Sequence, residues 1–406
     1  MTKQCSVLPG IASVFERNKM IYLDNSGTTK QYPRVTEVMV KHMEEIFGNP
    51  SSLYQLGVDS EKSVKNARRQ LEAAMGLTGG RAVFTSGGTE ADNMAIFGAA
   101  KALKRRGRRI VTSMVEHPAV LECCRSLEKE GFEVIYVGVD RRCRLDEAQL
   151  GEAINHETIL VTLMHVNNET GTIMPVEKVR EMMDRAKAPG IFHTDAVQSF
   201  GKLLLCSDAD AVSVSGHKIH GPKGTGALWI RDKVNIPAFI EGGGQEGGRR
   251  SGTENVPGIA GFGEAAQMSR EDMKSEMLRI SQMRQYLIEG LRTSLDDIIV
   301  NSPEETGEQA GMCCASVLNV SFMGTRGEVL LHTLEQDGIY VSTGSACSSN
   351  KKGQSHVLKA MGLGDRQIEG AIRFSFGRMN SVDEMDVVID KVSEAVKRFR
   401  RLGSFR

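Results

Sequence analysis

The sequence predicts an α/β protein, a mostly parallel sheet covered by helices, followed by a smaller α+β unit. Three observations carry that expectation. Short, almost wholly apolar runs recur through the first half of the chain, as strands buried on both faces require. Helix-period segments alternate with them from about residue 35 to 275. Beyond that point apolar and polar residues alternate strictly, which marks a sheet with one polar face.

In chain order, residues 58–75 place Val64, Ala67, Leu71, Ala74 and Met75 at helical spacing, and Gly76 stops the run. Residues 82–86 read as a strand, Gly87 and Gly88 as a tight turn, and Thr89 onward as another helix. Further strands are expected at 110–115, 159–166, 191–194 and 211–215. A long charged helix is expected to bridge 270–280. After it, Leu318, Val320 and Phe322 alternate with Asn319 and Ser321, and Ile372, Phe374 and Phe376 alternate with Arg373 and Ser375. The segment 383–400 sets Val387, Val388, Val392, Ala395, Val396 and Phe399 on one helical face. The expected division is a large domain over 30–275 and a small α+β domain from 1–29 and 276–406.

Bulk properties exclude several function classes. Lys plus Arg equals Asp plus Glu at 51 each, so no net field recruits nucleic acid or an acidic membrane surface. No apolar run approaches the ~20 residues of a membrane span. Residues 1–10 lack the apolar core of a secretory signal, and a cytoplasmic protein is expected. The 8 cysteines include no Cys-x-x-Cys and no cysteine/histidine ligand spacing, so neither a metal site nor a disulfide framework is expected. Only Cys347 has a setting suited to a reactive thiol, a run of small polar residues with Lys351 and Lys352 close by.

Ligands of open parallel sheets bind where loops diverge at the carboxyl ends of strands. Those positions hold a consistent set of residues. Ser86-Gly87-Gly88-Thr89-Glu90 opens a helix, and its amides and the Thr89 hydroxyl suit a phosphate. Glu116-His117-Pro118 follows the second expected strand, Asn167-Asn168-Glu169 the third, Asp195 and Gln198 the fourth, and Ser215-Gly216-His217-Lys218 the fifth. Each has an ordinary structural alternative: His117 a packed histidine, Asp195 a helix cap, the asparagines a turn. Jointly, a phosphate cradle, a carboxylate, a histidine and a lysine on one rim are what pyridoxal phosphate requires.

At these residues the chain resembles the cysteine desulfurases, NifS- and IscS-like members of the class V aminotransferase group. The matching stretches are Tyr22–Asn25, Phe47–Ser52, Phe84–Glu90, Glu116–Val120, His165–Gly171, His193–Gln198, Ser215–Lys218, 242–253 and Ser345–Cys347. They follow the family's order across nearly the whole chain. The resemblance implies the fold type I architecture of pyridoxal-phosphate enzymes. It implies that Lys218 attaches the cofactor covalently and carries protons, that Asp195 pairs with the ring nitrogen, and that His117 stacks on the ring. Gln198 and Asn168 would lie near the phenolic oxygen, and Gly88, Thr89, Ser215 and His217 would hold the phosphate. Thr253 would reach the phosphate of a partner subunit, giving a homodimer with shared sites. Arg373 would clamp the substrate carboxylate, with Asn49 assisting.

The implied reaction converts L-cysteine to L-alanine and leaves the sulfur as a persulfide on Cys347, carried by a loop over about 341–356. The implied acceptor is an iron–sulfur scaffold or a tRNA-thiolation sulfurtransferase. A selenocysteine lyase, another lyase or aminotransferase of the same fold, or a silent sulfur-transfer partner are the alternatives. Two departures stand out: Ser26 and Gly27 replace the family's usual alanine pair, and Gly353-Gln354 replaces its usual Glu-Pro. The first is expected to matter little, because all these residues are small. The second is expected to make the loop more flexible and more basic than usual.

Overall fold

The computed structural model describes residues 20–305, 309, 311–343 and 354–403. Its strands in chain order are β1 (Ile21–Tyr22), β2 (Gly80–Thr85), β3 (Arg109–Ser113), β4 (Glu133–Val137), β5 (Thr158–Met164) and β6 (Ile191–Asp195). Then follow β7 (Ala211–Ser215), β8 (Gly226–Arg231), β9 (Ile298–Val300), β10 (Val317–Phe322), β11 (Ile339–Tyr340) and β12 (Ala371–Ser375).

Seven strands form the central sheet in the order β2-β8-β7-β6-β5-β3-β4. The run from β4 to β7 is parallel, while β8 lies antiparallel to both β7 and β2. Alternate residues of each strand enter different cores. In β8, Leu228 and Ile230 join a cluster under helices Gly88–Leu103 and Pro118–Lys129, whereas Ala227 and Trp229 join another that includes Leu71 and Phe262. Both faces of the sheet are therefore covered, which is why these strands read as unbroken apolar runs. The helix expected at 58–75 spans Gln55–Met75 and ends on Gly76, whose φ of 69° only glycine adopts at little cost.

The second sheet is antiparallel, in the order β12-β10-β9. Helices Met273–Ser294 and Val382–Arg401 contribute Leu287, Leu291, Val388 and Val392 to its core, and Ile21 and Leu23 join the same cluster. Two sequence expectations need correction here. The long helix across 270–280 is two helices, Val256–Glu271 and Met273–Ser294, meeting at Asp272. Val387 is exposed, and Met385 and Ile389 take the buried stripe of the last helix instead. The polar face of β10 and β12 is not solvated: Asn319, Ser321 and Arg373 are all buried. Asn319 accepts from Asn301 Nδ2 at 2.7 Å, and the Ser321 hydroxyl donates to the Gln367 carbonyl at 2.8 Å. Strict alternation identifies a polar face but is silent on what covers it.

Candidate active site

The carboxyl ends of β5, β6 and β7 and the start of helix Gly88–Leu103 enclose a cavity of about 230 Å³. Gly88, Thr89, His117, Asn168, Asp195, Gln198, Ser215, His217 and Lys218 all line it. Strand-end logic therefore assembled nine residues that the fold brings together.

Each arrives for a local reason. β2 ends at Thr85, and the helix that follows points its N-terminal amides into the cavity. Gly88 allows this approach: a Cβ there would stand 2.7 Å from Val197 Cγ2. Glu90 fixes the turn by accepting from Ser86 N at 2.8 Å and pairing with Arg250 at 2.9 Å. His117 is the N-cap of helix Pro118–Lys129, and its Nδ1 accepts from Ala119 N at 3.1 Å. That bond leaves the proton on Nε2. Burial, reinforced by the charges of Lys218 and His356, pulls the His117 pKa down to about 4, so the ring is neutral.

Asp195 ends β6 and accepts from Val197 N at 2.9 Å. Burial pushes its carboxyl up to about 6, against the pull of that amide and of Lys218. Lys218 closes the single turn Gly216–Lys218 after β7. Its Nζ donates to the carbonyls of Ser26 at 2.5 Å and Gly27 at 2.6 Å. Gln198 Nε2 donates to the same Ser26 carbonyl at 3.1 Å. His217 Nδ1 lies 3.1 Å from Thr28 Oγ1. The Ser215 hydroxyl is buried and has no hydrogen-bond partner among the described residues.

Arg373, on β12, is 1% exposed. It donates from Nη2 to Asp24 Oδ1 at 2.6 Å and from Nη1 to the Asn168 carbonyl at 3.1 Å. The second bond joins it to a residue that lines the cavity. Two other expected residues do not reach the cavity within this chain. Asn49 is exposed and binds Ser51 N at 2.9 Å, and Thr253 lines a separate cavity of about 190 Å³ with Ser86 and Arg250. Cys347 lies outside the described residues.

Sequence reasoning missed Asp92, Ser26 and Gly27 as lining residues. Asp92 was within reach, since it follows Gly88 by four positions and so shares its helix face. Burial and the neighbouring Asp195 charge push the Asp92 carboxyl well above the usual carboxylate range. Its Oδ1 lies 3.6 Å from Nε2 of His193, which burial keeps neutral with a pKa of about 3.

A family profile described as aminotransferase class-V matches residues 21–388. The chain belongs to the class-V aminotransferase family. Within it, the chain groups with the cysteine desulfurases: "Cysteine desulfurase IscS" of Methanosarcina thermophila is 42% identical over 395 residues, covering 96% of this chain and 95% of that one. Among solved structures, a "NIFS-LIKE PROTEIN" superposes with a TM-score of 0.86 at 35% identity, covering 94% of this chain and 100% of its own. "SspA in complex with cysteine" follows with a TM-score of 0.74 at 31% identity, covering 88% and 98%. These matches agree with the fold expected from sequence and with the mostly parallel central sheet.

Proposed function

We propose that this chain is a pyridoxal-phosphate-dependent cysteine desulfurase, which converts L-cysteine to L-alanine and passes the sulfur to Cys347 as a persulfide. The observation that carries the reading is the convergence of Lys218, Asp195, His117 and the unpartnered Ser215 hydroxyl on one cavity in a chain of this family. The residues fit the cofactor. An unsatisfied buried hydroxyl beside a helix N-terminus, in a space that a Cβ on Gly88 would invade, suits a phosphate.

Pyridoxal phosphate supplies an aldehyde that captures amines and a ring that withdraws electrons from the bound amino acid. Gly88, Thr89, Ser215 and His217 would hold its phosphate, and Asn168 and Gln198 its phenolic oxygen. Asp195, fixed by the Val197 amide, would hold the proton of the ring nitrogen. His117 presents a neutral ring, fixed by its cap bond, to stack on that face. Lys218 Nζ would attach the cofactor, and as a free amine it would move the substrate Cα proton. Arg373 would grip the substrate carboxylate with its planar fork. The Cys347 thiolate would then attack the substrate sulfur, breaking the Cβ–S bond. Cβ takes up a proton on the way to alanine, and the sulfur stays bound to Cys347.

The reading extends to a homodimer with shared sites, supported by Thr253 lying off the Lys218 cavity and by exposed Phe47, Leu53 and Tyr54 around Asn49. Its acceptor would be an iron–sulfur scaffold or a tRNA-thiolation sulfurtransferase. The test measures alanine released and persulfide formed from L-cysteine by wild type and Cys347→Ser. Equal yields of both in wild type, with no protein persulfide on the serine variant, are expected. Turnover without alanine rules out the desulfurase, and persulfide transfer by the serine variant removes Cys347 from the reaction.

A further inference from the structure

The turn after β1 contacts both Lys218 and Arg373. Tyr22 OH donates to the carbonyls of Asp24 at 3.1 Å and Thr28 at 2.8 Å. Asn25 Nδ2 donates to the Ser375 carbonyl at 2.9 Å, and Ser26 N donates to Ser375 Oγ at 2.9 Å. Ser375 is two residues beyond Arg373 on the same strand. The backbone carrying Asp24 is thus locked to the strand carrying Arg373, and only the Asp24 side chain is left to move.

That side chain sits on the guanidinium. Arg373 Nη2 contacts Asp24 Oδ1 at 2.6 Å, and the side chains are 2% and 27% exposed. A buried guanidinium without an anion is costly, so a resident carboxylate stabilises Arg373 while no substrate is bound. The hydrogen bond engages one carboxylate oxygen, and Arg373 Nε is buried with no partner among the described residues. A substrate carboxylate that engages both Nη2 and Nε satisfies one more donor than Asp24 does. The partial exposure of Asp24 gives it water to turn into.

Gly27 makes the arrangement possible. A Cβ at this position would stand 2.6 Å from Asp24 Oδ2 and 3.0 Å from its Cγ, so even an alanine here would crowd the carboxylate, which corrects the expectation that the exchange at Gly27 matters little. We propose that Asp24 is the resident counter-ion of Arg373, a positioning residue that the substrate carboxylate must displace, so that Asp24 sets how tightly the enzyme holds its amino acid. The proposal rests on the reading of Arg373 as the carboxylate-binding residue.

The holoenzyme tests it through three variants, Asp24→Asn, Gly27→Ala and Arg373→Gln. Two quantities are read: KM and kcat for alanine release from L-cysteine, and the dissociation constant of L-alanine from spectral titration without turnover. Asp24→Asn is expected to lower both KM and that dissociation constant by about three- to tenfold, with kcat within about twofold of wild type. Gly27→Ala, which keeps the charge but unseats it, is expected to shift both in the same direction, and it covers the case in which Asp24→Asn does not fold. An unchanged or raised dissociation constant in the folded variants overturns the proposal, because a residue that merely orients Arg373 loosens binding when removed. Arg373→Gln is expected to weaken both by more than about tenfold. If it does not, the assignment of Arg373 fails and not the counter-ion argument alone.

Discussion

Glu246 ties the loop carrying Thr253 to β2, the strand that leads into the proposed phosphate cradle, and its removal should loosen both. Its carboxylate accepts from Arg68 Nη1 and Nη2 at 2.7 Å each and from Phe84 N at 3.0 Å. The two side chains are 10% and 4% exposed. Arg68 also donates to the Ala82 carbonyl and lies 4.6 Å from the Phe84 ring centroid. Glu246→Ala therefore leaves a largely buried guanidinium without its counter-charge. Breaking a buried pair by removing one partner costs about 3–5 kcal/mol. At 1.4 kcal/mol per decade this amounts to roughly a hundredfold to a few thousandfold in a local opening equilibrium. Native-state hydrogen exchange of the β2 amides and of residues 242–253 measures it. Arg68→Met/Glu246→Leu removes both charges and should recover most of the loss, leaving protection within about tenfold of wild type. Less than tenfold faster exchange in Glu246→Ala, or a double variant as loose as the sum of the singles, would refute the claim that the buried pair holds this junction.

Two further predictions concern pH and assembly. Burial pushes the Glu116 carboxyl up to about 8, against bonds from Ser113 Oγ and Met164 N, so the folded protein keeps a proton that the unfolded chain sheds near 4.5. Its contribution is fully present below pH 4.5 and is lost as pH rises through 8. Urea denaturation of the apo-protein should show wild type losing stability between pH 6.5 and 8.5, with Glu116→Gln losing less. Parallel slopes would mean that Glu116 ionises freely in the fold. If sites are shared, Lys218→Ala and Thr253→Asp dimers, unfolded and refolded together, should regain about a quarter of wild-type activity, since half the dimers are mixed and each carries one intact site. No recovery would place both residues in one subunit's site.

Much of the large sheet was legible because strands buried on both faces announce themselves as short apolar runs. β3, β5, β6 and β7 fall where the sequence put them, within a few residues. β4 and β8 were not expected. Glu133–Val137 is an edge strand with a short apolar run, Val134 to Val137, of which only Val137 is fully buried. Gly226–Arg231 has the run, but it follows a glycine-rich turn. Its direction could have been read, because the ten residues between Ser215 and Gly226 are too few for a parallel crossover. The site was legible where each residue sits at the end of its own strand. Asn49 and Thr253 mark the limit of that logic: neither sits at the end of a strand of the large sheet, and neither lines the Lys218 cavity.

The deeper limit is long-range pairing across the chain. Lys218 and Arg373 both stand out in the sequence, yet neither carries a sign of what holds it. Their partners come from one turn, Asp24 to Gly27, at separations of 349 residues for Asp24–Arg373 and 192 for Ser26–Lys218. That turn pairs with no long strand and has no strong propensity of its own; it is held by side-chain and backbone bonds to Ser375 and Tyr22. A local reading places such a segment last in importance. On the proposed reading, its carbonyls hold the amine that the chemistry would need free, and its carboxylate holds the guanidinium that the substrate would need free. Both would have to be released when cofactor and substrate arrive. The resting site is thus tied down by the segment whose sequence says least about it, and perturbing that segment should change binding before it changes chemistry.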